Sequence, residues 1–499
     1  MNSQELEVGL PSDVGGVFAA LSTLFTVQAD APHNVTYTYV DTVDWRLHRA
    51  GLALRDARRA RTGELVLDSI DASRITTPAR PHGWPSRADR LPASPVRDLI
   101  ADAAGMRALL PLAEVEARCI PLRLLDAEQK TRVRIVVEQP RLVRPRKCPL
   151  PLRLIISPLR GYDRDADKCV SLLKESLGAT FEPGSTAVTA FTAAGRTPAD
   201  AIRGPIVLSP DDPISRSVAI VLRRWLTVLE TNRDGVVADL DPEFLNELRG
   251  AIAASRALLD VMGDVLPGDT APHTADRLAW LSTLTARTQD LDRCVADFSG
   301  EGRFALDDLS GLEPLREHVL RSRRSELRQL RTELQSDRMA TLLSSWRAAL
   351  DDVARAEVLG PRTVSVAGAR LRRAHGALAA ADVADLDALR RRCARMRYVL
   401  QSFACLYDAD CTDRVLADLG DLQAHLDIVQ DVSMQSTEIT TTALRLRKAD
   451  AQSLLAMGAL RDRGEAYGRE VGRELPRQLD DVRTGPTAAL FAALLGDTA

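Results

Sequence analysis

Two arginine-rich segments in the second half of the chain carry the residues best suited to binding an anion. They span residues 241–259 and 387–400. Their candidate ligand-binding residues are Arg249, Arg256, Arg390, Arg395 and Arg397. Guanidinium groups match phosphate in geometry and stay charged at any working pH. The two segments therefore indicate a basic surface for a phosphate-bearing polyanion.

Helical periodicity predicts how these arginines are positioned. Arg249 and Arg256 are seven residues apart, as are Arg390 and Arg397, so each pair shares a helix face. If the two helices pack together, both faces can line one groove. The alternative is that the arginines form salt bridges across a helical bundle, with acidic residues such as Glu243, Asp290 and Asp431.

Composition limits the classes of function. The 499 residues contain 66 Lys and Arg against 69 Asp and Glu, a net charge of -3, so any basic site must be local and nucleic acid is not an expected partner. Seven cysteines without CxxC or Cys/His metal spacing favour a reduced, cytoplasmic protein. No apolar run approaches the roughly 18 residues of a membrane span, so no membrane partner is expected.

The pattern of elements predicts an α+β multidomain protein. Residues 1–185 alternate short β-type runs with turns, residues 186–212 have the Pro- and Gly-rich composition of a linker, and residues 213–499 are almost entirely helical. Asp241 before Pro242 predicts an N-cap and the start of a helix. The helices are expected at 214–232, 242–261, 274–298, 314–350, 367–380, 386–407, 411–432 and 437–457.

The first domain resembles the CYTH fold, the triphosphate tunnel metalloenzymes. Glu5-Leu6-Glu7 is similar to the start of the family's ExExK signature, and residues 39–55, with Asp41-Thr42, Gly51 and Leu54-Arg55, are similar to its DT…LRxR segment. The resemblance implies an antiparallel β-barrel around a tunnel, with Glu5 and Glu7 as ligands of Mg²⁺ or Mn²⁺. It also implies that Arg55 and Arg118 bind triphosphate, with Glu138 assisting. Alternatively, Glu5 and Glu7 are exposed on an edge strand and Arg55 pairs with a glutamate of the barrel.

The departures from this pattern predict a barrel without efficient triphosphatase activity. Gly9 replaces the signature lysine, Ala57 the second arginine of LRxR, and residues 66–69 contain no lysine. The late ExE strand aligns with residues 152–156, which contain no carboxylate. A divalent ion would lack the acidic ligands that offset its dehydration.

The second domain resembles the CHAD family, the conserved histidine α-helical domains. Asp241-Pro242-Glu243 through Arg256 and Asp387 through Tyr398 are similar to its two arginine phrases, and residues 289–292 and 422–431 to two shorter ones. The resemblance implies two four-helix repeats, about 213–350 and 351–499, around a basic groove for inorganic polyphosphate. Both namesake histidines are replaced, and three basic positions have become alanine. The replacements are Asn246, Asp387, Ala253, Ala254 and Ala394.

Three hypotheses follow from the sequence. The leading one is a bacterial, cytoplasmic binding protein for polyphosphate or a similar polyanion, which could associate with polyphosphate granules and whose barrel is inactive. The second is a divalent-metal-dependent triphosphatase in the barrel, acting on inorganic or organic triphosphate; its catalytic residues are not identified by spacing. The third is a scaffold that has lost both ligands.

Overall fold

The chain forms two compact units, Met1–Gly204 and Pro205–Ala499. The structure is a computed structural model. It describes residues 4–10, 13–59, 62–69, 74–78, 83–180, 185–196, 206–268, 270–298, 311–355, 360–445 and 451–496.

The first unit is built on one antiparallel sheet. The order along its main path is β1-β10-β8-β7-β3-β4-β5-β6, with β2 pairing β7 and β9 pairing β8. The strands are β1 Gln4–Val8, β2 Thr26–Ala29, β3 His33–Thr42, β4 Leu52–Arg59, β5 Thr62–Ser69, β6 Arg74–Pro78, β7 Leu109–Leu125, β8 Thr131–Arg144, β9 Cys148–Pro149 and β10 Leu152–Pro158. The helices of this unit are α1 Val14–Ser22, α2 Arg46–Arg49, α3 Pro95–Ala104, α4 Asp163–Leu177 and α5 Ser185–Ala193.

The sheet is curled, because side chains of its two edge strands meet. Arg74 on β6 lies 2.5 Å from Glu5 on β1. In the described residues no ladder joins these two strands, so the sheet approaches a barrel without hydrogen-bonded closure. The predicted α+β class, with an antiparallel curled sheet followed by a helical unit, is confirmed.

Alternation along the strands separates two faces of the sheet. Apolar residues of the outer face pack against α1 and α4 at one end and against α3 at the other. The inner face carries Tyr37, Tyr39 and Cys119, and α5 packs on this face through Phe191 and its neighbours. The linker predicted at 186–212 is therefore wrong over its first part, where buried Ala187, Ala190 and Phe191 make α5 part of the core.

The described part of the second unit is helical. Its helices are α6 Ile214–Ala238, α7 Pro242–Met262, α8 Thr270–Asp297, α9 Glu313–Leu334, α10 Asp337–Arg355, α11 Thr363–Ala379, α12 Leu386–Phe403, α13 Ala409–Arg445, α14 Ala451–Gly472, α15 Leu475–Arg483 and α16 Pro486–Leu495. The arginine segments lie on α7 and α12, which pack against each other; α8 borders α7, and α13 borders α12. No described helix is sufficiently long and apolar to cross a membrane.

The largest differences from the predicted helices occur in two regions. The helix expected at 314–350 is divided into α9 and α10, and the two helices expected at 411–432 and 437–457 are replaced by one long helix, α13, followed by α14.

Candidate functional site

Six charged side chains on the inner face of the sheet form a continuous chain of ion pairs, here called the interior ion network. Its members are Glu5, Arg55, Asp68, Arg74, Glu138 and Arg153. Asp68 lies 2.8 Å from Arg55 and 2.6 Å from Arg74. Glu5 lies 2.5 Å from both Arg74 and Arg153, and Arg153 reaches Glu138 at 3.2 Å. Three guanidinium groups therefore balance three carboxylates.

Burial strengthens the charge pairing in this network. Arg153 and Glu138 are 2% and 3% exposed, and the Tyr37 hydroxyl donates to Glu138 at 2.6 Å. Burial by itself would raise the pKa of Glu5, but the charges of Arg153 and Arg74 and their hydrogen bonds outweigh it and lower that pKa to about 2. Burial would lower the pKa of Arg153, whereas Glu138 and Glu5 hold it well above its usual value. Glu5 and Arg153 are therefore both charged near neutral pH.

The predicted metal ligands do not fit a divalent ion in this arrangement. Both carboxylate oxygens of Glu5 already contact guanidinium groups. Glu7 pairs in register with Arg153, so a cation at this position would meet a buried positive charge. Among the described residues, no group of three or more His, Cys, Asp or Glu side chains is arranged to hold a metal.

The two arginines predicted to bind triphosphate have different positions. Arg55 faces the interior, where Asp68 neutralises it. The alternative interpretation expected such a pairing within the barrel, but with a glutamate. Arg118 is exposed on the opposite face of β7, between the buried residues Ala117 and Cys119. The expectation that Arg118 lines the interior is therefore wrong, because a single register position moves a strand residue to the other face.

The most specific part of the tunnel-like motif has a structural role. The Asp41 carboxylate accepts the backbone N–H groups of Leu47 and His48, each at 3.0 Å, and so fixes the start of α2. Burial raises the pKa of Asp41 to about 6 despite these hydrogen bonds. The Thr42 hydroxyl donates to Asp44 at 2.8 Å. These residues order the turn between β3 and β4.

Arg249 is a partly buried predicted binding residue whose charge is incompletely balanced. Its Nη1 donates to the Ser282 carbonyl at 3.0 Å and to the Thr285 hydroxyl at 2.7 Å. In the described part of the chain it has no carboxylate partner within salt-bridge distance. Desolvation lowers the pKa of Arg249 to about 10; Asp290 raises it, but Arg293 and Arg390 lower it further. Arg249 is thus a partly desolvated cation with other cations close by.

Arg390 and Arg397 approach the same region from α12. Arg390 pairs with Asp427 of α13 at 2.5 Å. Arg397 donates to the Gln423 amide oxygen at 2.6 Å and lies 4.5 Å from the centre of the Tyr398 ring. The charge of Arg390 is one of those that act on Arg249, so the two sequence segments meet across the α7–α12 contact.

Arg256 completes the cationic surface on α7. It is exposed, and among the described residues it makes neither an ion pair nor a hydrogen bond. It shares the helix face of Arg249, two turns further on. We call Arg249, Arg256, Arg390 and Arg397 the arginine face.

Arg395 does not belong with these residues. It pairs with Asp260 and lines a separate pocket together with residues of α11. Five residues of helix place it about 140° around α12 from Arg390. The expectation that all five arginines line one groove is wrong for Arg395.

The positions of the missing histidines lie beside the arginine face. Asn246 accepts a hydrogen bond from Gln289 of α8 at 2.9 Å, and Asp387 is exposed in the first turn of α12. Neighbouring Arg293 on α8, which the sequence analysis did not single out, pairs with Asp431 at 2.5 Å. Asp431 was expected to form a salt bridge with one of the candidate binding arginines, but its partner is Arg293.

Comparison with known proteins identifies the helical unit. Residues 220–440 match the CHAD domain family. Among solved structures, the CHAD domain of the plant Ricinus communis is 22% identical and covers 56% of this chain and 96% of its own, with a TM-score of 0.48. PptA from Streptomyces chartreusis is 16% identical over 54% of this chain and 100% of its own, with a TM-score of 0.42.

The first unit has weaker similarities. A putative adenylyl cyclase from Hippeastrum, described as having a dominant triphosphatase activity, is 16% identical over 39% of this chain and 95% of its own, with a TM-score of 0.26. No curated protein matches the chain significantly. The arginine segments on α7 and α12 both lie within the matched region, and residues 220–440 of this chain are a CHAD domain.

Proposed function

We propose that the helical unit binds inorganic polyphosphate, or a similar linear polyanion, through the arginine face. The observation that carries the proposal is the state of Arg249, a partly desolvated guanidinium without a carboxylate partner in the described chain and close to two further arginines. Such a group is costly unless an anion approaches it. A phosphate chain on this surface would offset the repulsion among Arg249, Arg293 and Arg390.

The remaining contacts of the arginine face leave room for an anion. Arg397 is held by a neutral amide, and Arg256 has no partner among the described residues. Asp427, the partner of Arg390, is 29% exposed, so the pair is partly open to solvent and contributes modestly to stability. A phosphate oxygen can therefore be added at these guanidinium groups without first breaking a buried ion pair.

Substitutions beside this surface limit the affinity. Asn246 and Asp387 replace the family's histidines, and Asp387 brings a negative charge to the first turn of α12. Fewer charge contacts remain than in a chain with the intact motif. We expect binding that is measurable at low salt and weakens steeply as salt is added.

The proposal is tested by titrating fluorescently labelled long-chain polyphosphate with the full chain at low salt. Replacing Arg249 and Arg397 by alanine should weaken binding about tenfold or more, since each charge-assisted contact contributes about 1 kcal/mol or more. A matched control replaces Arg391 and Arg414, which are exposed and unpaired among the described residues, and should bind like the wild type. Equal binding by all three proteins would refute the arginine-face proposal.

The first unit is proposed to have a structural rather than a hydrolytic role, because its inner face is neutralised by its own residues. We also propose a cytoplasmic location, with polyphosphate granules as a site of association. The seven cysteines, all of them unpaired thiols, are compatible with a reducing compartment.

A further inference from the structure

A second basic pocket lies apart from the arginine face, among α11, α12 and the end of α7. It encloses a cavity of about 230 Å³. Four of the residues that line it are arginines, two from each of α11 and α12: Arg370, Arg373, Arg392 and Arg395. Arg392 and Arg395 lie in the arginine-rich segment 387–400, but only Arg395 was among the candidate ligand-binding residues.

Helix geometry directs both pairs of arginines towards the same space. Arg370 and Arg373 are three residues apart on α11, as are Arg392 and Arg395 on α12, so each pair projects from one face. Ala374 and Ala377 occupy the surface of α11 between the arginine pairs, and their short side chains leave the cavity open. Arg392 is held across it, because its Nη1 donates to the Ala377 carbonyl at 3.0 Å.

The charges of the pocket do not balance. Arg370 pairs with Asp264 and Arg395 with Asp260. Within the described residues, Arg373 has no hydrogen-bond or ion-pair partner, and Arg392 contacts a carbonyl but no carboxylate. Four cations and two anions leave two positive charges without a counter-charge in contact.

The two acidic partners are weak competitors for an entering anion. The side chains of Asp260 and Asp264 are 53% and 60% exposed. Ion pairs with such exposed carboxylates contribute little, because water screens them. A phosphate group, by contrast, can accept two parallel hydrogen bonds from each guanidinium fork.

We propose that this pocket binds a compact phosphate group carrying about two negative charges. The phosphate group is either that of a small free anion or the terminal group of a longer chain; both present the same oxygens to the four arginines. The site is distinct from the arginine face, because Arg395 lies about 140° around α12 from Arg390. It does not depend on polyphosphate binding at the arginine face.

Calorimetric titration of the full chain with inorganic pyrophosphate tests the proposal. The variant Arg373→Ala/Arg392→Ala removes the two uncompensated cations while leaving both ion pairs with Asp264 and Asp260. Its affinity for pyrophosphate should fall about tenfold or more, as expected for the loss of two charge-assisted contacts. The charge-matched control Arg391→Ala/Arg414→Ala should keep the wild-type affinity.

A second variant tests the cavity without altering any arginine. Ala377 is exposed, so Ala377→Glu should fold normally while placing a carboxylate in the pocket, and pyrophosphate binding should be lost. In Arg249→Ala/Arg397→Ala protein, where the arginine face is disabled, adding Arg373→Ala/Arg392→Ala should still lower the affinity for pyrophosphate, which separates this site from the arginine face. Pyrophosphate affinity unchanged in both pocket variants would overturn the proposal.

The two sources of the phosphate group are distinguished by a parallel titration with long-chain polyphosphate. If the pocket holds a chain terminus, the Arg373→Ala/Arg392→Ala variant also loses affinity for the long chain. If it holds a small free anion, only pyrophosphate binding falls. Either result supports the site, provided that pyrophosphate binding decreases.

Discussion

At the scale of single residues, an arginine in place of a carboxylate changes the ability of the inner face of the sheet to bind a metal ion. Arg153 stands on β10 where the tunnel-like motif has carboxylates, and it joins Glu5 to Glu138. A strand that would supply negative charge for a metal supplies a buried positive charge instead. The carboxylates that would bind a metal become counter-ions of arginines, and the charges of the interior are balanced without a ligand.

The shifted pKa of Glu5 predicts a specific acid sensitivity. Its folded-state pKa, about 2, is below the ordinary value of 4.5, so between these pH values the unfolded chain binds more protons. The contribution of ionised Glu5 to the stability of the folded protein is therefore present above pH 4.5 and is lost as the pH falls towards 2. It amounts to at most about 3 kcal/mol, less the screening at a partly exposed side chain.

The test compares urea unfolding of wild-type and Glu5→Gln protein at pH 7 and pH 3, followed by hydrogen exchange in β1 and β10. The variant should be less stable at pH 7 and should lose less stability on acidification. Glu64→Gln, which removes an exposed carboxylate on β5, serves as the control and should follow the wild type. Parallel acid profiles for wild type and Glu5→Gln would contradict the assigned role of Glu5.

At the scale of elements, helix α7 positions Arg249 through its start and its contact with α6. The Asp241 carboxylate accepts the Phe244 backbone N–H at 3.2 Å, with Pro242 in the first turn. Phe244 packs against α6 at Gly235, where a Cβ atom would lie 2.1 Å from the ring. The glycine is required by this close approach of the two helices.

Two glycine substitutions should therefore have opposite effects. Gly235→Ala should destabilise the helical unit by about 1–3 kcal/mol, because Phe244 must shift. Gly250→Ala, beside Arg249, meets no atom within 4 Å and should stabilise α7 by about 0.5–1 kcal/mol. Thermal unfolding measures both; equal effects of the two substitutions would show that the α6–α7 contact is not tight.

Local sequence patterns predicted the start of α7 correctly. They failed to predict helix boundaries that depend on contacts with residues far away in the sequence. The break between α9 and α10 is marked only by Ser336, whose hydroxyl accepts the Met339 N–H at 3.3 Å. Conversely, α13 continues through a segment rich in Ser and Thr, because the Gln435 side chain donates a hydrogen bond to Asp297 and the Ser436 hydroxyl donates one to Glu465. Such partners come from elsewhere in the fold and are not visible in local sequence.

The candidate site was predictable to a similar extent. The seven-residue spacing predicts that Arg249 shares a helix face with Arg256 and that Arg390 shares one with Arg397, whereas the same angular argument, applied to Arg395, separates it from Arg390 and Arg397. The partners Asp427 and Gln423 come from α13, and no spacing rule relates them to α12. Arg118 was misplaced because a strand register cannot be read from a short motif.

At the scale of the whole molecule, the two units differ in how their charges are balanced. The interior of the curled sheet neutralises itself, whereas the helical unit keeps uncompensated cations on its arginine face and in the second basic pocket. Anion binding is therefore expected of the helical unit, and hydrolysis is not expected of the curled sheet.

Phosphate release from tripolyphosphate tests the second half of this expectation. With Mg²⁺ or Mn²⁺ the full chain should release no more phosphate than a metal-free control, because Glu5 is occupied by two guanidinium groups. Metal-dependent release that disappears in Glu5→Gln/Glu7→Gln protein would instead establish the triphosphatase hypothesis.

The central claim, that the arginine face binds polyphosphate, is tested most directly by the salt dependence of binding. For the wild type, the logarithm of the binding constant should fall linearly with the logarithm of salt concentration. In Arg249→Ala/Arg397→Ala protein the slope should be smaller by roughly two, about one for each lost phosphate contact. An unchanged slope would show that these arginines do not contact the polyanion.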